Sequence, residues 1–141
     1  MAIKNFSLDP DDNGPSRGMA GTDDAFNRQL LEFAQQENPK KMDWALGWGA
    51  DPNFQDAEGL TALHRVASLG SRTCVRMLVA TGRCNYLLQD NYGRYAADLA
   101  IEWARDFALG RWLRRKQIEQ ARRQGVRPWE PPKSRKSEDG N

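Results

Sequence analysis

The sequence predicts an all-α solenoid of about three stacked helical hairpins, joined by β-turn or hairpin loops and ending in an extended basic helix. Three observations carry that expectation. Gly59 and Gly93 stand about 34 residues apart, close to the period of helical repeat arrays. Between them, Leu63, Val66 and Ala67 fall on one helical stripe and Cys74, Val75 and Leu78 on another, with Gly70 separating the two. Fainter copies of the same grammar flank this stretch on both sides.

The central unit, residues 56–90, is the best formed. Thr61 is placed to cap the helix that follows it, its hydroxyl accepting from a backbone N–H of the first turn that has no partner within the helix. Gly70 suits the left-handed conformation that ends a helix. Two short amphipathic helices around such a glycine make a hairpin. A hairpin of this size cannot bury its apolar face alone, so it must stack on neighbours, and terminal units are expected to be atypical.

These residues also carry a family likeness. Thr61-Ala62-Leu63-His64-Arg65-Val66-Ala67 resembles the T-P-L-H-x-A signature of ankyrin repeats, with Ala62 for the usual proline. Gly49-Ala50-Asp51-Pro52-Asn53-Phe54-Gln55-Asp56 is similar to the G-A-D-x-N-x-x-D run that joins one ankyrin unit to the next. Asp90-Asn91-Tyr92-Gly93 and Ala97-Asp98-Leu99-Ala100 resemble a variant of the same pattern, with Tyr95 where threonine is expected. The likeness covers about residues 24–123 and implies units at 24–55, 56–90 and 91–124, within a domain of 22–124.

In chain order, residues 1–21 are rich in Asp, Asn, Gly, Pro and Ser, with a small apolar cluster of Ile3, Phe6 and Leu8, and read as a flexible arm, with docking on the first unit as the alternative. In the first unit Leu30, Phe33 and Ala34 supply the stripe of one helix, which Asn38-Pro39 is expected to end, and Met42, Ala45 and Leu46 serve the next. Trp44 and Trp48 lie one helical turn apart, so their indoles can extend an apolar patch as a secondary surface. Trp44 aligns with Met77 and is expected to be half core, leaving Trp48 the better surface candidate. In the third unit Ala97, Ala100 and Ile101 face inward, and a second helix from about Asp106 continues through Leu109, Trp112, Leu113 and Ile118. That helix carries Arg111, Arg114, Arg115, Arg122 and Arg123, a set suited to polyanions. Residues 125–141 read as a disordered basic tail.

Composition excludes several classes. The chain has 141 residues, 39% hydrophobic and 28% charged, which fits one soluble domain with a modest core. No run approaches a membrane span and no apolar leader opens the chain, so the cytoplasm is the expected compartment. Cys74 and Cys84 are too few and wrongly spaced for a zinc site or a disulfide framework. His64 is the one histidine, and no Ser, Cys or acid stands in triad or metal spacing with it. The likeness makes it a structural hydrogen-bonder between units. Gly59, Gly70 and Gly82 punctuate turns and helix ends; their spacing has no phosphate-loop form. No enzyme, cofactor, metal or small-molecule substrate is therefore expected.

Ankyrin units bind other proteins through a concave face of turn tips and first helices. Carried over by position, that face comprises Ala57, Glu58 and Leu60, then Asn91, Tyr92 and Arg94, with Ser68, Leu69, Glu102 and Trp103 on the helices. Leu60, Leu69, Tyr92 and Trp103 are expected to form one apolar strip, a composition that often dominates binding energy. The alternative is an adaptor for nucleic acid or an acidic partner through Arg111 to Lys136. The net charge of only +2 means that the rest of the chain is acidic.

Overall fold

The computed structural model describes residues 23–129. Six helices follow in order: α1 Asp23–Gln35, α2 Pro39–Gly47, α3 Ala62–Leu69, α4 Arg72–Ala80, α5 Ala96–Glu102 and α6 Phe107–Gln124. Each consecutive pair is an antiparallel hairpin, and there is no strand among the described residues. The chain is thus an all-α array of three helical hairpins. The residues expected to form an N-terminal arm, Ile3, Phe6 and Leu8 among them, lie outside the described residues, as do Lys133, Arg135 and Lys136.

Close packing runs through the first helices, α1 on α3 on α5, whereas α4 and α6 meet only sparsely. Side-chain size explains the difference. Ala34, Ala62, Ala67, Ala96, Ala97 and Ala100 are buried in the first-helix layer, and small residues let helix axes approach. Leu63, Val66, Val75 and Leu78 fill the central unit, flanked by Leu30 and Met42 on one side and Leu109 and Leu113 on the other. Gly110 lets α6 press onto α5, since a Cβ there would lie 2.3 Å from Ile101 Cγ1.

The helix ends follow local chemistry, with two differences from the sequence expectation. Thr61 caps α3 by accepting from the His64 N–H, and Gly70 ends it at φ 71°. Asn38, expected to end α1, instead begins α2: its side chain accepts from the Lys41 N–H, and Pro39 occupies the first turn, where a missing N–H is harmless. Glu37 takes the left-handed turn at φ 56°, the place held by Gly70 in the central unit. In the third unit that place falls to Arg105, at φ 57°, with four residues between α5 and α6 where the central unit has two between α3 and α4.

The last helix is twice the length of α4, and its end is also pinned. Gly125 turns left-handed at φ 70°, Val126 N–H bonds the Ala121 carbonyl, and buried Gln117 donates to the Pro128 carbonyl. Residues 125–129, placed by the sequence reading in a disordered tail, are therefore tied to α6. Along α6, Leu113, Gln117, Gln120 and Ala121 occupy the buried stripe and Ile118 faces solvent. Ile101 is only half-buried.

Candidate protein-binding surface

The turn tips are built by repeating side-chain brackets. In the central unit one carboxylate oxygen of Asp56 accepts from the N–H groups of Glu58 at 2.8 Å and Leu60 at 3.0 Å. Asp90 does the same one unit later, accepting from Tyr92 and Arg94 at 2.9 Å each. Asn91 then locks tip to tip. Its N–H bonds the Glu58 carbonyl at 3.0 Å and its side-chain amide bonds the Ala57 carbonyl at 2.8 Å. Gly59 is required beneath this lock, because a Cβ there would stand 2.7 Å from Asn91 N.

His64 ties the first helix of one unit to the tip of the next. Its Nε2 lies 3.0 Å from the Arg94 carbonyl, which can only accept, so Nε2 carries the proton. Nδ1 is then the acceptor, facing the Thr61 hydroxyl at 2.9 Å and the Thr61 N–H at 3.4 Å. Burial lowers the pKa of this imidazole below its ordinary value, outweighing the hydrogen bond to Arg94 and the field of Asp90. The neutral ring is a structural clasp, and among the described residues no group of three or more His, Cys, Asp or Glu is placed to hold a metal.

These brackets use up part of the face inferred from sequence. Asn91 is consumed in the tip lock. Arg94 pairs with the buried Asp90 carboxylate at 2.8 Å and lies 5.1 Å over the Tyr92 ring. Ser68 donates back to the Arg65 carbonyl, and Leu60 is half-buried. What stays open is Ala57, Glu58 and Glu102, with three large apolar side chains: Leu69 at 37% exposure, Tyr92 at 60% and Trp103 at 65%.

The expected single apolar strip is divided. Leu60 and Tyr92 belong to the tips, while Leu69 and Trp103 end α3 and α5. Eight helical residues span about 12 Å, so the two pairs sit at opposite ends of the first helices. Arg65 occupies the ground between, a residue absent from the sequence-based list. Its guanidinium pairs with Asp56 and reaches Gln35 of α1 at 2.9 Å, joining the first two units. Its buried Nε has no hydrogen-bond partner.

Elsewhere, the tryptophans of α2 meet Phe26, which the sequence reading passed over. The Phe26 ring lies 5.6 Å from Trp44 and stacks at 6.5 Å on Trp48, leaving both indoles half-buried. Phe26 and Phe33 are seven residues apart on α1, a spacing that was there to be used. Of the basic set, Arg111, Arg115, Arg122 and Arg123 are exposed, but Arg114 pairs with Asp98 of α5 at 2.5 Å and does not belong with them.

Comparison with known proteins agrees with this geometry. The family profile described as ankyrin repeats, three copies, matches residues 30–123. The chain belongs to the ankyrin repeat family. Among curated proteins, the ankyrin repeat domain-containing protein 37 of Mus musculus is 43% identical over 68 residues, covering 45% of this chain and 38% of the relative. The Homo sapiens and Bos taurus proteins of the same name are each 44% identical over 57 residues, covering 40% of this chain and 35% of theirs. The match thus spans little more than a third of the length of these relatives. Ankyrin repeats are in general protein–protein interaction modules, and proteins built from them are typically non-enzymatic scaffolds. No helix among the described residues is long and apolar enough to cross a membrane.

Proposed function

We propose that this ankyrin array is a non-catalytic module that holds a partner protein on its first-helix and tip face, with Tyr92 and Trp103 as anchors and Leu69 beside Trp103. The observation that carries the reading is the exposure of these three side chains on a scaffold whose tips are locked by Asp56, Asp90 and Asn91. A locked face loses little freedom on binding, and a partly exposed aromatic gains most when a partner completes its burial. Glu58 and Glu102 add negative charge to the same face, which favours basic groups on the partner.

The test is a pull-down from the native cell with wild type and Tyr92→Ala/Trp103→Ala, followed by calorimetry on the purified partner. Truncating two anchors is expected to cost about 2 kcal/mol or more. A partner held with unchanged affinity by the double variant refutes the assignment.

A further inference from the structure

The second helices form a surface of different character from the first. α2, α4 and α6 carry ten Lys or Arg against two carboxylates, Asp43 and Glu119; α1, α3 and α5 carry two Arg against five carboxylates. Within the basic layer α4 and α6 barely touch and are strapped at two points. At one end Arg72 grips Asp106 through two bonds of 2.8 and 2.7 Å. At the other, Gln120 accepts from the Tyr86 N–H at 2.7 Å and donates to Asn85 at 3.2 Å. Gln120 lies fourteen residue steps along α6 from Asp106, so the straps stand roughly 20 Å apart.

Between them runs an open seam. Near Arg72 it is an apolar hollow of about 320 Å³, floored by Val75, Leu109 and Trp112 and rimmed by Arg76. Toward Gln120 it widens into a polar hollow of about 490 Å³ that presents Arg83, Lys116 and Arg123 around Glu119. Lys116 bridges the two, since it lines the second and its ammonium lies 5.5 Å over the Trp112 ring of the first. Arg76, Arg83 and Arg123 have no carboxylate within ion-pair distance among the described residues.

We propose that this seam docks an acidic segment of a partner protein, about six extended residues long, with one large apolar side chain in the Trp112 hollow and carboxylates on Lys116, Arg123 and Arg83. Six extended residues span roughly 20 Å, the distance between the straps. Charge complementarity selects the partner's chemistry, and the apolar hollow demands an anchor beside the charge. A nucleic acid fits less well. Val75 and Leu109 offer a phosphate nothing, Glu119 repels one, and the Trp112 face that a base would stack on already carries Lys116. None of these residues belongs to the tips or first helices, so the two surfaces stand or fall separately.

The experiment titrates the full chain into a fluorescein-labelled ten-residue peptide of serines, one leucine and four glutamates, read by anisotropy. Saturable binding is expected, weakened about tenfold or more by serine in place of the leucine and abolished by lysines in place of the glutamates. Arg83→Glu/Arg123→Glu, both at exposed positions, is expected to weaken it by a similar factor with the circular dichroism spectrum retained, while Tyr92→Ala/Trp103→Ala leaves it unchanged. Absence of binding, indifference to Arg83→Glu/Arg123→Glu, or equal affinity for the leucine-free peptide or a ten-base thymidine strand overturns the proposal. Residues 1–12 carry Ile3, Phe6 and Leu8 ahead of Asp9, Asp11 and Asp12. Peptide binding seen only after their removal would give the seam to the chain itself and equally overturn a partner there.

Discussion

Gly110 is the place where helix propensity and tertiary packing pull in opposite directions, and the outcome can be worked out. Alanine is favoured over glycine inside a helix by about 1 kcal/mol, so Gly110→Ala considered on α6 alone should stabilise. The structure reverses the sign. The new Cβ would lie 2.3 Å from Ile101 Cγ1, 2.8 Å from its Cδ1 and 3.3 Å from the Ala97 carbonyl oxygen, against the roughly 3.5–4.0 Å of ordinary carbon contact. Cγ1 is too near the backbone to swing clear, so either α5 and α6 part or Ile101 leaves its rotamer. Overpacking of this kind costs about 1–3 kcal/mol, so that after the propensity gain the net loss is up to about 2 kcal/mol. In a domain of this size that lowers Tm by about 4–8 °C per kcal/mol. Urea unfolding followed at 222 nm measures it, with two companions. Gly47→Ala, on α2 with nothing within 4 Å of its Cβ, should gain a few tenths of a kcal/mol or more. Ile101→Ala combined with Gly110→Ala should be non-additive, recovering about 1 kcal/mol of the clash. Should Gly110→Ala stabilise as Gly47→Ala does, the close approach of α5 and α6 is not what glycine serves there.

Three further outcomes are expected. Because His64 is buried neutral and its pKa is lowered, the unfolded chain binds the extra proton: stability is full above about pH 6.5 and declines as pH falls toward the folded pKa, by at most about 1.4 kcal/mol per pH unit. Urea midpoints at pH 7.5 and 5.5 should separate in wild type and converge in His64→Gln, and equal slopes in the two would contradict the clasp. Burial pushes the Cys84 thiol up to about 11, and Cys74 is fully buried, so the native chain should resist iodoacetamide at pH 8 while the urea-unfolded chain reacts at both. Leu63→Ala should cost about 2–5 kcal/mol through the cavity it leaves, and an unchanged midpoint would remove Leu63 from the core.

How much the sequence disclosed depended on whether a residue's role was local. Thr61 and Gly70 act within a few residues of themselves, so their types announce a cap and a left-handed turn, and the structure has both. The two stripes of the central unit were legible for the same reason. Asn38 was misplaced because an Asn-Pro pair can end one helix or begin the next, and only Glu37 turning left-handed at φ 56° decides between them. Long-range partners left no local trace. Nothing near Asn91 says that its amide is spent on the Ala57 carbonyl 34 residues earlier, nor that Arg114 is bound to Asp98 rather than free for a polyanion. Gln117 and Gln120 are polar by type yet buried, and they carry the inward stripe of α6 through hydrogen bonds to Pro128, Tyr86 and Asn85 that no local pattern announces.

The division of charge follows from the same architecture. A hairpin array exposes one layer of first helices and one of second helices, and sequence order interleaves them, so a net charge of +2 conceals two opposed fields. Some of the charges are used for structure: Arg114 on Asp98 joins α6 to α5 across the layers, Arg72 on Asp106 joins α4 to α6 within one, and each removes a cation from the basic face. The cations left over, Arg76, Arg83, Arg111, Arg115, Arg122 and Arg123, have no carboxylate within ion-pair distance among the described residues. Exposed charge of one sign on one layer steers encounter over about a Debye length, some 8 Å at physiological salt. On the two proposed surfaces, basic groups of a partner would be drawn to the tips and an acidic segment to the seam of the second helices.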